Sequence, residues 1–161
     1  MDRLIYMDNA ATTPVHPEVY EAMKPYFSEV YSNPSAVYTF AGKAGRAVDE
    51  ARRTIASVIN AKPEEVYFTA GGSESDNWAI IGAAEGNCNK GKHIITTRIE
   101  HHAVLNTCKY LEKHGFEVTY LDVDTYGRVS PEDVENAIRP DTILISVMTA
   151  NNEVGTIQNI A

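Results

Sequence analysis

The chain has 161 residues, is 43% hydrophobic and 22% charged, and carries a net charge of −8 with histidines neutral. This composition fits a folded globular chain rather than a disordered one, and at this length a single domain is the default. The acidic balance argues against a nucleic-acid partner. No apolar run approaches the roughly 20 residues of a membrane span, the N-terminus MDRLIYMDNAA does not read as a secretory signal, and two cysteines build no disulfide framework, which points to the cytoplasm.

Taken in chain order, the pattern alternates between helical and extended segments. After an extended start at Leu4–Met7, Pro14 and Pro17 break the chain and Glu18–Phe27 reads as a short helix. Tyr31-Ser32-Asn33-Pro34-Ser35 reads as a loop, since Asn-Pro favours turn initiation. Ala41–Ile59 is the clearest helix, because Ala44, Val48, Ala51, Ile55 and Val58 recur at spacings of four and three to make one apolar face. Glu65–Thr69 is a strand candidate, Ser73–Ala84 a helix and His93–Thr97 a strand. His101–His114 is a helix closed by Gly115, Phe116–Leu121 a strand with edge character, and Pro131–Ile138 a helix. Thr142–Val147 (TILISV) is an almost unbroken apolar run, as for a central strand covered on both faces. Strands separated by helices give an α/β fold with a mainly parallel sheet.

Three βα junctions carry the chemistry. In Thr69-Ala70-Gly71-Gly72-Ser73-Glu74-Ser75-Asp76-Asn77 a strand ends, two glycines turn the chain and a serine opens a helix. Backbone N–H groups there can approach an anion without a Cβ in the way, and the helix dipole favours negative charge, so the segment suits a phosphate. The alternative is a plain capped helix, with Ser73 at the N-cap and Asp76 three residues on. His101 follows the next strand, and Asn151-Asn152 follow TILISV, so both stand where the ligand crevice of a parallel sheet lies. Phosphate binding, a flat imidazole and an amide donor together suit a phosphorylated aromatic cofactor. No metal site is expected, since the histidines lack ligand spacing. Cys108 shares an apolar helix face with Val104 and Leu111, and Cys88 sits in a loop with no base or cation nearby in sequence, so neither reads as a nucleophile.

The segments Tyr6–Pro14, Asn33-Pro34-Ser35, Phe68–Asn77, His93–Thr96 with Glu100-His101, and Ala150–Gln158 resemble, in order, the cysteine desulfurases of iron–sulfur cluster assembly and nitrogen fixation. These are pyridoxal-phosphate (PLP) enzymes of the class V aminotransferase family. The resemblance implies that Gly72 and Ser73 hold the PLP phosphate, that His101 stacks on the cofactor ring and assists proton transfer as the catalytic residue, and that Asn152 bonds the cofactor near its phenolic oxygen. Asn9, Ala10, Ala11 and Thr12 would line the substrate entrance. The implied reaction converts L-cysteine to L-alanine and passes sulfur on as a persulfide. Departures are Ser73 where the family usually has threonine, Tyr38 where a histidine is common, and Ala41 where glycine is usual.

The resemblance also implies a fold-type-I large domain, three-layer α/β/α, of which this chain supplies strands one to four of seven. Residues 1–14 would form an extended segment near the active site and 15–161 an incomplete PLP-binding domain, with the small C-terminal domain absent. The family's strand order is 3-2-4-5-6-7-1, so the second, third and fourth strands can pair here while the first loses its neighbours. Also missing by this reading are the lysine that carries the cofactor, the cysteine that forms the persulfide and the arginine that binds substrate. The chain alone is then expected to be inactive, and to pair as a homodimer or with a companion C-terminal chain, with a sulfur-acceptor or scaffold protein downstream. A selenocysteine lyase, another class V aminotransferase and a non-enzymatic partner-binding fragment are the alternatives.

Overall fold

The computed structural model describes residues 5–160, so Leu4 of the expected extended start and Ala161 lie outside the described residues. The chain divides into two compact units after Phe68.

The first unit is helical. The expected helix over 18–27 is two helices, α1 (Pro17–Met23) and α2 (Pro25–Ser28), because Pro25 has no N–H to continue the ladder. Residues 5–7 form no strand. Asn33 closes its loop by accepting the Ser35 N–H on Oδ1 at 3.0 Å. A short 3-10 turn at Thr39–Ala41 leads into α3 (Gly42–Val58), which stops where Asn60 takes a left-handed φ of 53°. The apolar stripe of α3 forms but is only partly covered: Ala44 is buried while Ile55 and Val58 are exposed. Its N-terminal half lines an apolar groove of about 530 Å³ with Tyr26, Tyr31 and Phe68. Arg52 ties the segment beyond α3 back to it, donating to the Val66 carbonyl at 2.6 Å and lying over the Phe68 ring.

The second unit holds α4 (Gly72–Gly86), β1 (His93–Thr97), α5 (His102–Lys113), β2 (Glu117–Leu121), α6 (Pro131–Ala137) and β3 (Thr142–Ser146). The sheet is parallel with order β2-β1-β3. This is the pairing expected of the second, third and fourth strands of the longer order. The first strand is not formed: Pro63–Glu65 is a 3-10 turn, and residues 66–69 run on without joining the sheet. A ladder needs a partner at its side, and none of the described strands stands there.

The strand expected at the centre is also corrected. β1, not TILISV, is central, with all five residues buried. β3 is an edge here, and its Ile145 is 42% exposed. The apolar run records two faces fit for burial, but only one side of β3 has a neighbour. The core packs Ile80 and Ala84 of α4 and Val104, Cys108 and Leu111 of α5 onto Ile94 of β1, with Phe116 beside them. The spacing of 104, 108 and 111 is that of one helix face. Gly115 ends α5 region as expected, in the left-handed conformation at φ 85°.

The N-terminal end of the sheet is cross-tied. His93 is fully buried between its neighbours, with Nδ1 2.7 Å from Thr142 Oγ1 on β3 and Nε2 2.8 Å from Thr119 Oγ1 on β2. Below it Arg139 binds Glu117 through Nη1 at 2.7 Å and grips Asp141 through Nε and Nη2 at 2.9 and 2.8 Å. That fork holds the Asp141 carboxyl below its usual range.

Candidate functional site

Gly72 and Ser73 are the first two residues of α4, and the cap position is Gly71, not Ser73. The helix opens earlier than expected because the Gly71 carbonyl already accepts the Ser75 N–H at 3.1 Å. Asp76 does not close a capping box. Glu74 turns back instead, accepting the Ala70 N–H at 2.7 Å, and Ser75 Oγ lies 2.7 Å from Thr69 Oγ1. No side chain caps the helix N-terminus. A Cβ built at Gly71 or Gly72 meets nothing within 4 Å, and both residues and Ser73 are exposed. The first turn of α4 therefore combines backbone donors, the positive end of a 15-residue helix, a hydroxyl and open space, a donor set that fits a phosphate group.

His101 is the N-cap of α5, where Nδ1 accepts the Ala103 N–H at 3.1 Å. That bond fixes the ring and assigns Nδ1 as the acceptor, so in the neutral ring the proton belongs on Nε2. The ring is exposed.

Asn152 sits in the turn after β3 and is exposed, whereas its neighbour Asn151 is buried. Asn151 organises that turn. Its Oδ1 accepts the N–H groups of Glu153 and Val154 at 2.9 Å each, and its Nδ2 donates to the Ile99 carbonyl at 2.9 Å. The chain then folds back, with Asn151 N–H bonded to the Thr156 carbonyl and Ala150 bridged to Ile157. Gln158, also buried, anchors the returning arm by accepting the Val129 N–H at 3.1 Å and donating to the Gly127 carbonyl at 2.7 Å.

Glu100 is also buried at this end of the sheet. Its Oε1 accepts the Met148 N–H at 2.5 Å and the Thr97 hydroxyl at 3.4 Å. Burial pushes its carboxyl pKa up, and the Met148 N–H and Thr97 hydroxyl partly oppose this, while the charge of Asp76 on α4 adds to the rise. The loops after β1 and β3 are thus joined twice, and α4 meets the same region. Asn77 of α4 also accepts a hydrogen bond from Thr107 of α5. Sequence reasoning placed Glu100 and Asn151 in these segments but gave roles only to His101 and Asn152. The available signal was an acid three residues after β1, with no basic residue three or four positions away to pair with it.

Asn9, Ala10, Ala11 and Thr12 lie in the first unit, in an exposed turn where the Ala11 N–H reaches the Asp8 carbonyl at 3.2 Å. Cys108 is buried in the core, and burial pushes its thiol up to about 11. Cys88 is exposed. Among the described residues no group of three or more His, Cys, Asp or Glu is placed to hold a metal ion, and no helix is long and apolar enough to cross a membrane.

Comparison with known proteins relates the sequence and fold of the chain to one family. The chain is 59% identical over 159 residues to the cysteine desulfurase IscS of Methanosarcina thermophila and 56% identical over 160 residues to that of Clostridium botulinum (strain Hall). Each alignment takes 99% of this chain, but the chain spans only about two fifths of those relatives, 39% and 40% of their length. Among solved structures, a NifS-like protein superimposes with a TM-score of 0.92 at 43% identity, covering 96% of this chain and 43% of that one. A structure of SspA in complex with cysteine superimposes with a TM-score of 0.90 at 49% identity, covering 96% and 45%. The aminotransferase class-V family matches residues 5–161, and the chain belongs to that family.

Proposed function

We propose that the second unit carries the phosphate-binding and ring-binding part of a PLP site, and that the complete enzyme is a cysteine desulfurase. The observation that carries this reading is the uncapped N-terminus of α4, with open space before Gly71 and Gly72. The SspA structure holding cysteine supports the substrate assignment by similarity. PLP, when bound, supplies an electron sink for chemistry at the substrate's α and β carbons.

This chain's own residues do the rest. The first-turn N–H groups around Gly72 and Ser73, with the Ser73 hydroxyl, bind the phosphate. His101, held through Nδ1, offers its face to the ring and its Nε2 as the site from which a proton moves. Asn152 donates its amide to the cofactor's phenolic oxygen, and Asn9–Thr12 line the substrate entrance. The net reaction takes L-cysteine and an enzyme thiol to L-alanine and an enzyme persulfide, which conserves sulfur and protons. Cys108 does not supply that thiol, since it is buried with its proton held tightly. The chain spans about two fifths of its relatives' length, so turnover is assigned to the whole enzyme. We take residues 1–14 as the entrance segment and 15–161 as part of the PLP-binding domain of a homodimer or of an enzyme completed by a companion chain.

Equilibrium dialysis of this chain against PLP, pyridoxal and inorganic phosphate tests the reading. Ser73→Ala is expected to weaken PLP and phosphate about 10-fold, the loss of one hydrogen bond to a charged group, and to leave pyridoxal unchanged. Equal PLP affinity in the wild type and Ser73→Ala would count against the cradle.

A further inference from the structure

His101 and Asn152 stand on different loops, and the sequence between them holds two crossovers. Each has a buried neighbour one residue before it in the chain. Glu100 reaches from the β1 exit loop to the Met148 N–H at 2.5 Å, on the way out of β3. Asn151 reaches from the β3 exit turn to the Ile99 carbonyl at 2.9 Å, on the way out of β1. In both bonds the segment after β3 donates and the segment after β1 accepts, but the side chains reach across the gap from opposite sides, Glu100 from β1 and Asn151 from β3. A single tie leaves a pivot, whereas two ties at different points fix both the separation and the relative twist of the loops.

We propose that Glu100 and Asn151 are positioning residues which together set the spacing of His101 and Asn152. The inference rests on reading that sheet edge as the cofactor site. Both groups are well suited to such work. Glu100 keeps a carboxylate out of water with one backbone N–H and one hydroxyl as partners, a costly arrangement that an exposed loop acid would not adopt. Asn151 spends both ends of its amide, the oxygen shaping its own turn and the nitrogen crossing to Ile99. Neither side chain is exposed where a ligand would lie. Their neighbours are, so the clamps hold the site from beneath.

The substitutions separate the parts. Glu100→Ala removes one clamp, and Glu100→Gln keeps an oxygen to accept the Met148 N–H. Asn151→Asp keeps the acceptor for Glu153 and Val154 but loses the donor to Ile99. In the isolated chain, NMR hydrogen exchange at the Met148 amide is expected to rise at least about 10-fold in Glu100→Ala and to be largely restored in Glu100→Gln. The resonances of His101 and Asn152 should shift in Glu100→Ala and Asn151→Asp, while those of Gly72 and Ser73 stay in place. By dialysis, PLP should weaken about 10-fold in both variants while inorganic phosphate is unaffected, since misplaced ring contacts leave the helix cradle intact. Unchanged His101 and Asn152 resonances with unchanged Met148 exchange overturn the clamp. A wild-type chain that binds no PLP defeats the cofactor reading instead, and the exchange measurements still decide the clamp. Should Glu100→Ala fail to fold, Asn151→Asp carries the same comparison.

Discussion

Replacing Gly91 with alanine is expected to destabilise the chain by about 3 kcal/mol or more, at the top of the range for overpacking. A Cβ at that position would stand 2.1 Å from the Asp141 carbonyl oxygen and 2.6 Å from its carbon. The obstacle is backbone, which cannot rotate aside as a side chain would. The close approach also has a purpose in the fold, because His93 N–H bonds the same Asp141 carbonyl at 3.1 Å and starts the β1–β3 ladder there. Relief of the clash therefore has to pull the ladder apart at its first rung. Gly82 serves as the control. It lies inside α4 with nothing within 4 Å of an added Cβ, so Gly82→Ala should stabilise by about 0.5–1 kcal/mol through helix propensity. Urea midpoints for the two variants check both signs. Similar midpoints for Gly91→Ala and the wild type would sink the steric argument.

The second large effect is expected at His93. Thr142 Oγ1 accepts the Arg139 N–H at 2.7 Å and has its own proton to give to His93 Nδ1, an arrangement that leaves the ring proton on Nε2 for Thr119. This network is satisfied by a neutral ring. A second ring proton would crowd Thr142 Oγ1 and free a hydroxyl with no place to donate. Burial accordingly lowers the His93 pKa from 6.5, and Arg139 lowers it further, while Asp141 and Glu117 pull the other way. The unfolded chain then takes up a proton that the folded chain refuses. The stability contributed by His93 is present above about pH 6.5 and is lost as the pH falls towards the folded value. His93→Leu should cost about 2 kcal/mol near neutral pH by removing the ring that bonds two half-buried hydroxyls, of which Thr142 alone keeps a partner in the Arg139 N–H. His93→Gln should keep part of the bonding and flatten the pH dependence between pH 7.5 and 5.5. Denaturation curves at the two pH values decide, and an equal pH slope in His93→Gln and the wild type would be contrary to this account.

The helices were legible in the sequence because their signals are local. The 3.6-residue period found α3 and α5, and Gly115 marked where α5 stops. What failed depended on partners. Residues 65–69 have strand composition, yet a ladder is made by two segments and the second is not among the described strands. TILISV announces burial on two faces, but burial also needs something to cover them, and Ile145 is only partly covered. At the three βα junctions the sequence missed details of capping and of side-chain direction. Ser73 looked like a cap because serine usually is one, whereas Gly71 holds that place and Glu74 makes the backward bond. An Asn-Asn pair shows no sign of which amide turns inward. Only the register of β3 against β1 puts Asn151 under Ile99 and leaves Asn152 outside.

The two cysteines give the molecule an internal gauge. Cys88 is open to any thiol reagent, while Cys108 lies sealed between α4, α5 and β1 with its proton held up to about 11. A reagent that modifies the first at once can reach the second only when α5 lifts from the sheet. The labelling rate of Cys108 thus reads the opening frequency of the core, and that of Cys88 supplies the chemical rate to divide it by.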